Sequence, residues 1–290
     1  MTQTAPTKTV LAVITATTAF FQKSGVESPR LNIEHLLAHV LRKKRMDLYV
    51  EFDRVLSEAE LTPLRDLVRR RAQREPLQHL LGTVEFLGLT LKCDGRALIP
   101  RPETEQLCEM IAAQAKSADC AWKNGSIADV GTGSGCIALA LANAWPEARV
   151  TGLDASDDAL ALARENSERT GLATRVAFSK SDLLSAAEDP FDLIVANLPY
   201  IPSADIAALQ PEVQRDPAAA LDGGADGLTI IRRFIPKAAV KLRSGGTLAL
   251  EVGPEQPAIL AAEFSAQGWR DIRIMKDHQG RARFIFSTHG

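Results

Sequence analysis

A glycine-rich run, Asp129-Val130-Gly131-Thr132-Gly133-Ser134-Gly135, closes an apolar stretch and leads into the helix-like segment from Cys136 to Ala144. At the carboxyl end of a first strand in an α/β sheet, such glycines let a ligand approach the backbone closely. The spacing is G-x-G-x-G. A dinucleotide fingerprint would need glycine where Cys136 stands, and the chain has no Gly-Lys-Ser/Thr phosphate loop here, so phosphate binding is disfavoured. Asp154 lies 23 residues beyond Gly131 at the end of the next apolar run, where a carboxylate can accept both hydroxyls of a ribose. Ser181-Asp182-Leu183 follows a third run, and there a bound adenine would lie between an apolar side chain and a carboxylate that accepts its amino group. Taken singly, these residues also read as a tight turn and as helix caps. Together they imply a nucleoside bound without a pyrophosphate.

The elements that must hold these residues follow from the apolar pattern. From Ile127 onward, strand-like runs alternate with helical stretches: Ile127 to Val130, Arg149 to Asp154, Arg175 to Phe178, Phe191 to Ala196 and Thr247 to Val252. Such alternation predicts βαβ units and a mostly parallel sheet. Asp271 to Met275 and Arg283 to Ser287, around the turn at His278-Gln279-Gly280, predict an antiparallel edge. Residues 5 to 80 show only helical periodicity, with Val10, Val13, Ile14, Thr17 and Phe20 on one face and Leu31, Ile33, Leu36, Leu37, Val40 and Leu41 on another. Asn32 or Ser28 is expected to cap the second helix, and Ser57 with Glu60 spells a capping box. Val84, Phe86, Leu89 and Leu91 alternate around Gly88, which predicts a hairpin. The expected division is a helical domain over residues 1–81, a hairpin linker over 82–100 and the α/β domain over 101–290.

Composition limits the function classes. With 290 residues, 46 % hydrophobic and 24 % charged, the chain is not a disordered or fibrous one. Its apolar runs fall far short of the roughly 20 residues that span a bilayer, and no basic-then-apolar leader is seen, so a cytoplasmic protein is expected. Cys93, Cys108, Cys120 and Cys136 form no C-x-x-C pair and read as reduced thiols. Residues 1–100 hold 15 Lys and Arg against 11 Asp and Glu, whereas the rest hold 19 against 25. The acidic second part suits a protein or small-molecule substrate better than a phosphate backbone. Glu34-His35-Leu-Leu-Ala-His39 puts two imidazoles one helical turn apart, but without the H-E-x-x-H order, and no metal is expected. Arg42 to Arg45 and Arg69 to Arg71 read as solvated faces or as a basic docking face.

The run Phe191 to Ala196 passes directly into Asn197-Leu198-Pro199-Tyr200. This resembles the Asn-Pro-Pro-Tyr of methyltransferases that alkylate a planar conjugated nitrogen, the amide of glutamine or the exocyclic amine of adenine. Further segments resemble one family, the peptide chain release factor glutamine methyltransferases. They are Ile99-Pro-Arg101-Pro-Glu103-Thr-Glu105, Tyr200-Ile-Pro202-Ser, Leu209 to Val213, Asp216-Pro217, Ala220 to Gly224, Asp226-Gly227-Leu228 and Glu251-Val-Gly253. The resemblance runs from Ser28 to Arg281. It implies a helical N-terminal domain, a hairpin linker and a seven-stranded doubly wound class I methyltransferase sheet that uses S-adenosylmethionine. It also implies direct methyl transfer, without metal, to the glutamine amide of the Gly-Gly-Gln motif in bacterial class I release factors.

Carried over by position, the resemblance makes Gly131, Thr132, Gly133, Ser134, Gly135, Asp154, Asp182, Leu183 and Asn197 cofactor contacts. It makes Asn197, Leu198, Pro199 and Tyr200 substrate contacts, with Asn197, Pro199 and Tyr200 at the chemistry. A delocalised nitrogen is a poor nucleophile, so the site must hold its N–H groups by acceptors and aim it, which the Asn197 amide oxygen and a neighbouring backbone carbonyl can do. The family has proline where this chain has Leu198. Competing readings are methylation of a ribosomal-protein glutamine or of adenine in nucleic acid, and, further off, a nucleoside-binding module without catalysis or a nicotinamide-dependent reductase.

Overall fold

The computed structural model describes residues 8–115, 121–188 and 190–290. Packing divides the chain into two compact units, one of Met1–Gly82 with Gln210–Arg215 and one of Thr83–Leu209 with Asp216–Gly290.

The first unit is helical: α1 (Val10–Lys23), α2 (Pro29–Leu41), α3 (Asp47–Val50), α4 (Glu58–Ala72) and α5 (Leu77–Leu81). Its core includes Val10, Ile14, Phe21, Ile33, Leu36, Leu37, Leu61 and Leu64. On α1 the buried stripe runs through Phe21, while Phe20 is exposed, contrary to the face expected from sequence. At 100° per residue, position 21 returns to the azimuth of 10 and 14, and position 20 lies well off it. The Ser57–Glu60 capping box forms as expected. Ser28 takes the N-cap position of α2, one of the two expected, but not in the usual capping geometry. Ser28 precedes it in a left-handed conformation (φ 46°) without a side-chain cap, and Asn32 lies inside the helix, where its Nδ2 donates to the carbonyls of Glu27 and Ser28. The basic run 69–71 and the nearby Arg74 pair with carboxylates of the same unit, while Arg69 stays exposed and Arg70 half-buried. Arg71 and Arg74 both donate to the Glu212 carboxylate, Arg70 to Glu75 and Arg69 to Asp66.

The second unit opens with the antiparallel hairpin β1 (Thr83–Phe86) and β2 (Leu89–Lys92), then α6 (Pro102–Gln114). The remaining elements are β3 (Ser126–Val130), α7 (Cys136–Ala144), β4 (Arg149–Asp154), α8 (Asp157–Arg169), β5 (Val176–Lys180), β6 (Phe191–Asn197), α9 (Thr229–Lys241), β7 (Leu242–Glu251), α10 (Pro257–Ala266), β8 (Arg270–Lys276) and β9 (Ala282–His289). The seven strands are ordered β5-β4-β3-β6-β7-β9-β8. Pairing is parallel from β5 to β7, and β9 lies antiparallel between β7 and β8. The central strands are buried on both faces. All five residues of β3 and the first six of β6 are buried, which explains why they read as continuous apolar runs.

Alternate residues feed opposite cores. Ile127, Leu193, Val195, Phe284 and Phe286 meet Leu107 and Ile111 of α6 and Ile137 and Leu141 of α7. Ala128, Val130, Ile194, Ala196 and Ile285 meet Ile231 and Phe234 of α9 and Leu260 and Phe264 of α10. The strand order reverses between β3 and β6, so a crevice opens at their carboxyl ends, where doubly wound sheets take ligands. Among the described residues no helix is long and apolar enough to cross a membrane.

Candidate active site

At the end of β3 the chain turns through three left-handed glycines, Gly131 (φ 73°), Gly133 (φ 54°) and Gly135 (φ 82°). The Gly131 and Thr132 amides both donate to the Leu153 carbonyl at 2.8 and 3.0 Å, and the Gly135 amide donates to that of Thr132 at 2.8 Å. The Gly133 amide donates to Asp154 Oδ2 at 2.9 Å. These four amides turn toward protein acceptors, whereas a phosphate nest aims its amides at the ligand. The glycines serve two purposes. A Cβ on Gly131 would stand 3.0 Å from Leu198 Cδ2, and one on Gly135 would crowd Ala163 and Phe178 at 3.2 and 3.3 Å, so both allow close internal packing. At Gly133 a Cβ would meet nothing nearer than Ala97 at 3.8 Å, which leaves its face to the cavity.

That cavity has a volume of ≈ 270 Å³ and is lined by Gly131, Thr132, Gly133, Ser134, Asp154, Asp182, Leu183, Asn197, Leu198 and Pro199 among others. It thus brings together most of the residues singled out from sequence. Gly135 and Tyr200 do not line it. Asp154 ends β4, and its Oδ1 accepts from the Ser156 amide at 2.9 Å, so both oxygens are oriented by backbone donors while each keeps a further lone pair. Asp182 is exposed and receives Arg233 Nη2 at 2.8 Å; Arg233 is itself a lining residue. Leu183 is buried at φ 57°.

On the opposite wall, the half-buried Asn197 donates from Nδ2 to Thr104 Oγ1 at 3.1 Å, and Thr104 Oγ1 donates to Glu251 Oε2 at 2.8 Å. The chain after Asn197 is braced from outside. Gln256 Nε2 donates to the Tyr200 carbonyl at 2.9 Å while Gln256 Oε1 accepts from the Gly253 amide at 2.8 Å. A Cβ on Gly227 would lie 2.2 Å from the Tyr200 carbonyl oxygen, and one on Gly223 would lie 2.8 Å from that of Pro199, so only glycine fits at either position. The Tyr200 hydroxyl is met by Arg283 Nη1 at 3.4 Å, and burial pushes the phenol up to about 12.

The segment before α6 acquires separate roles. Arg101 donates to the buried Asp216 at 2.5 Å, the Leu87 amide donates to Glu105, and Glu103 faces Arg281 at 3.5 Å. Of these acidic and basic residues only Arg101 lines the cavity, together with Thr104. Two carboxyls nearby are lifted by burial, Asp129 to about 7 and Glu251 to about 7. Thr104, Glu251, Gln256 and Gly227 were not singled out individually from sequence. Three of them sit in segments that carried the family resemblance, but their partners are far away along the chain.

Glu34, on the same helix as the His35 and His39 imidazoles, is taken up by ion pairs and a hydrogen bond. Its buried carboxylate receives Arg30, Arg45 and the Tyr49 hydroxyl, and among the described residues no three or more His, Cys, Asp and Glu side chains gather as metal ligands would. Cys93, Cys108 and Cys136 are free and buried, while Cys120 lies outside the described residues. The arrangement therefore offers a nucleoside-sized cleft with an oriented carboxylate at one wall and a fixed side-chain amide at the other.

Known proteins resemble the chain in sequence and in fold. Residues 12–82 match the PrmC N-terminal domain family and residues 104–214 the methyltransferase small domain family. A release factor glutamine methyltransferase of Geobacter sulfurreducens is 43% identical over 287 residues, covering 98% of this chain and 98% of that protein. One of Deinococcus radiodurans is 41% identical over 273 residues, 94% of this chain and 96% of that protein. Among solved structures, a methyltransferase from Pyrococcus furiosus superposes with a TM-score of 0.52 at 18% identity, covering 70% of this chain and 90% of that one, which establishes the shared fold.

Proposed function

The chain belongs to the release factor glutamine methyltransferase family, and from that premise we propose that it carries a methyl group from S-adenosylmethionine to the side-chain amide nitrogen of the Gly-Gly-Gln glutamine in class I release factors, in the cytoplasm. The observation that carries the reading is that Asn197, Leu198 and Pro199 share one cavity with the glycine turn and Asp154.

The residues fit the cofactor. Gly133 leaves its face of the turn open, Asp154 keeps lone pairs for the ribose hydroxyls, and the inward amides at 131, 132, 133 and 135 suit a nucleoside that brings no phosphate. Asp182 and Leu183 would flank the adenine. When bound, S-adenosylmethionine supplies an electrophilic methyl on a sulfonium. The protein's own part is positional. The Asn197 Oδ1 and the Leu198 carbonyl accept the two N–H groups of the glutamine amide, which turns the nitrogen's lone pair toward the methyl and holds the group against water. No strong base is required, because the nitrogen becomes acidic once alkylated and releases a proton afterwards.

Transfer of label from the cofactor to a class I release factor, with no transfer to its Gln→Ala variant, is the expected result. Equal labelling of the variant, or labelling of ribosomal protein or nucleic acid instead, overturns the substrate assignment.

A further inference from the structure

Asn197 has two faces of opposite hydrogen-bonding character on one planar group, and only one of them serves an amide substrate. The oxygen must face the cavity, because the incoming nitrogen brings N–H donors. If the amide were flipped, the NH2 group would face those donors and one of the two acceptors would be lost. Nothing within Asn197 itself fixes the choice, since the two ends of the amide are nearly the same size and shape.

The surroundings fix it. Thr104 Oγ1 lies 3.1 Å from Asn197 Nδ2 and 2.8 Å from Glu251 Oε2, and both Thr104 and Glu251 are buried. An ionised carboxylate can only accept, so the single hydroxyl proton of Thr104 is directed to Glu251. That leaves the Thr104 oxygen with lone pairs alone toward Asn197, and it therefore selects the NH2 end of the amide. Burial lifts the Glu251 carboxyl to about 7, with Arg101, Glu103, Arg283 and the Tyr200 hydroxyl around it, so at pH 8 it is mostly in the accepting form. Thr104 comes from α6, Asn197 from the end of β6 and Glu251 from the end of the neighbouring β7, directly opposite Asn197 in the parallel register. The three sites are thus held by a helix and two central strands.

We propose that Thr104 and Glu251 are positioning residues that orient the Asn197 side-chain amide, with Glu251 setting the direction of a donor chain Asn197 to Thr104 to Glu251 so that Asn197 Oδ1 faces the methyl-accepting nitrogen. This rests on the functional reading above for its consequence in catalysis, but the orientation itself is independent of the substrate.

The test uses the full-length protein at pH 8 with Thr104→Val, which keeps the shape and removes the hydroxyl, and Thr104→Ser, which restores it. Two readouts are taken. The first is methyl transfer to release factor alongside cofactor affinity: Thr104→Val is expected to lower kcat about tenfold with cofactor Kd within about twofold, and Thr104→Ser to recover most of the loss. The second is the Asn197 side-chain NH2 resonance, identified by its disappearance in Asn197→Asp; Thr104→Val is expected to shift it and speed its exchange with solvent, and Thr104→Ser to return it. An Asn197 resonance unchanged in Thr104→Val overturns the proposal, as does full activity of that variant. If wild type transfers nothing to release factors while the resonance responds to Thr104→Val, the positioning chain stands and the substrate assignment falls.

Discussion

The Leu198 Cδ2 methyl stands 3.0 Å from the point a Cβ on Gly131 would occupy. The side chain is buried in the same core as Val130, Ala196 and Leu228, so it joins the cofactor turn after β3 to the substrate loop after β6. The Asn-Pro-Pro-Tyr motif that this segment resembles has proline at this position. Leucine keeps the backbone carbonyl that an acceptor needs, and Pro199 still biases the preceding residue toward the extended region, where that carbonyl can be aimed. Its longer side chain fills the space over the glycine.

Leu198→Pro is accordingly expected to change kcat by less than about tenfold, under roughly 1.4 kcal/mol of barrier, because the carbonyl remains. It should lower stability by about 1–3 kcal/mol through the space left over Gly131. Gly131→Ala should abolish cofactor binding in wild type, from the contact and the left-handed φ together, and be less damaging beside Leu198→Ala. Equal damage in both backgrounds, by calorimetric titration of cofactor, would show that the two loops are not coupled through this contact.

Asp154→Ala is expected to weaken cofactor binding at least tenfold, since hydrogen bonds to a charged group contribute about 1.5–3 kcal/mol each. The Gly133 and Ser156 amides lose their acceptor in the same variant, so a small drop in Tm accompanies it. Unchanged affinity removes Asp154 from the ribose site.

The sheet was legible because its central strands are buried on both faces and read as apolar runs separated by helices, and the antiparallel tail because its two strands flank a Gln-Gly turn. The start of α2 was legible only as a position: Ser28 is its N-cap residue but makes no side-chain cap. Ser28 and Asn32 have the composition of caps, yet Asn32 is buried in the helix and also accepts from Arg71 Nε at 2.7 Å, a tertiary contact that overrides the local preference. The site divides the same way. Gly131 to Gly135, Asp154 and Asn197 to Leu198 announce themselves by spacing along the chain. Thr104 and Glu251 meet each other only after the sheet has formed, and Gln256 acts on Tyr200 from a loop in another part of the chain, so no local pattern marks them.

Asn197→Ala should leave cofactor affinity near normal and lower turnover by about 10²–10³, the usual effect of deleting one preorganised polar group at a reacting centre. Single-turnover methyl transfer under saturating cofactor checks it. Turnover within a few-fold of wild type would take Asn197 out of the chemistry.

The last expectation concerns Asp129, at the end of β3 beneath the glycine turn. Its Oδ2 accepts from Thr132 Oγ1 at 2.6 Å and the Ala138 amide at 3.1 Å, while its Oδ1 is buried without a hydrogen-bond partner. Burial, with the Asp154 charge adding to it, pushes the carboxyl from its usual 3.8 up to about 7. Between those values the folded protein holds a proton that the unfolded chain has released, so stability from this group falls as pH rises from about 4 to 7 and is level above that. Asp129→Asn cannot titrate and lacks this slope. The difference in Tm between Asp129→Asn and wild type should therefore move in favour of the variant from pH 5 to pH 7 and stay constant from pH 7.5 to pH 8.5, whatever its sign at the start. Glu251, also lifted to about 7, is present in both proteins and cancels from the comparison. Calorimetric scans at each pH decide it, and a Tm difference independent of pH would mean that Asp129 is ionised in the folded state throughout the range.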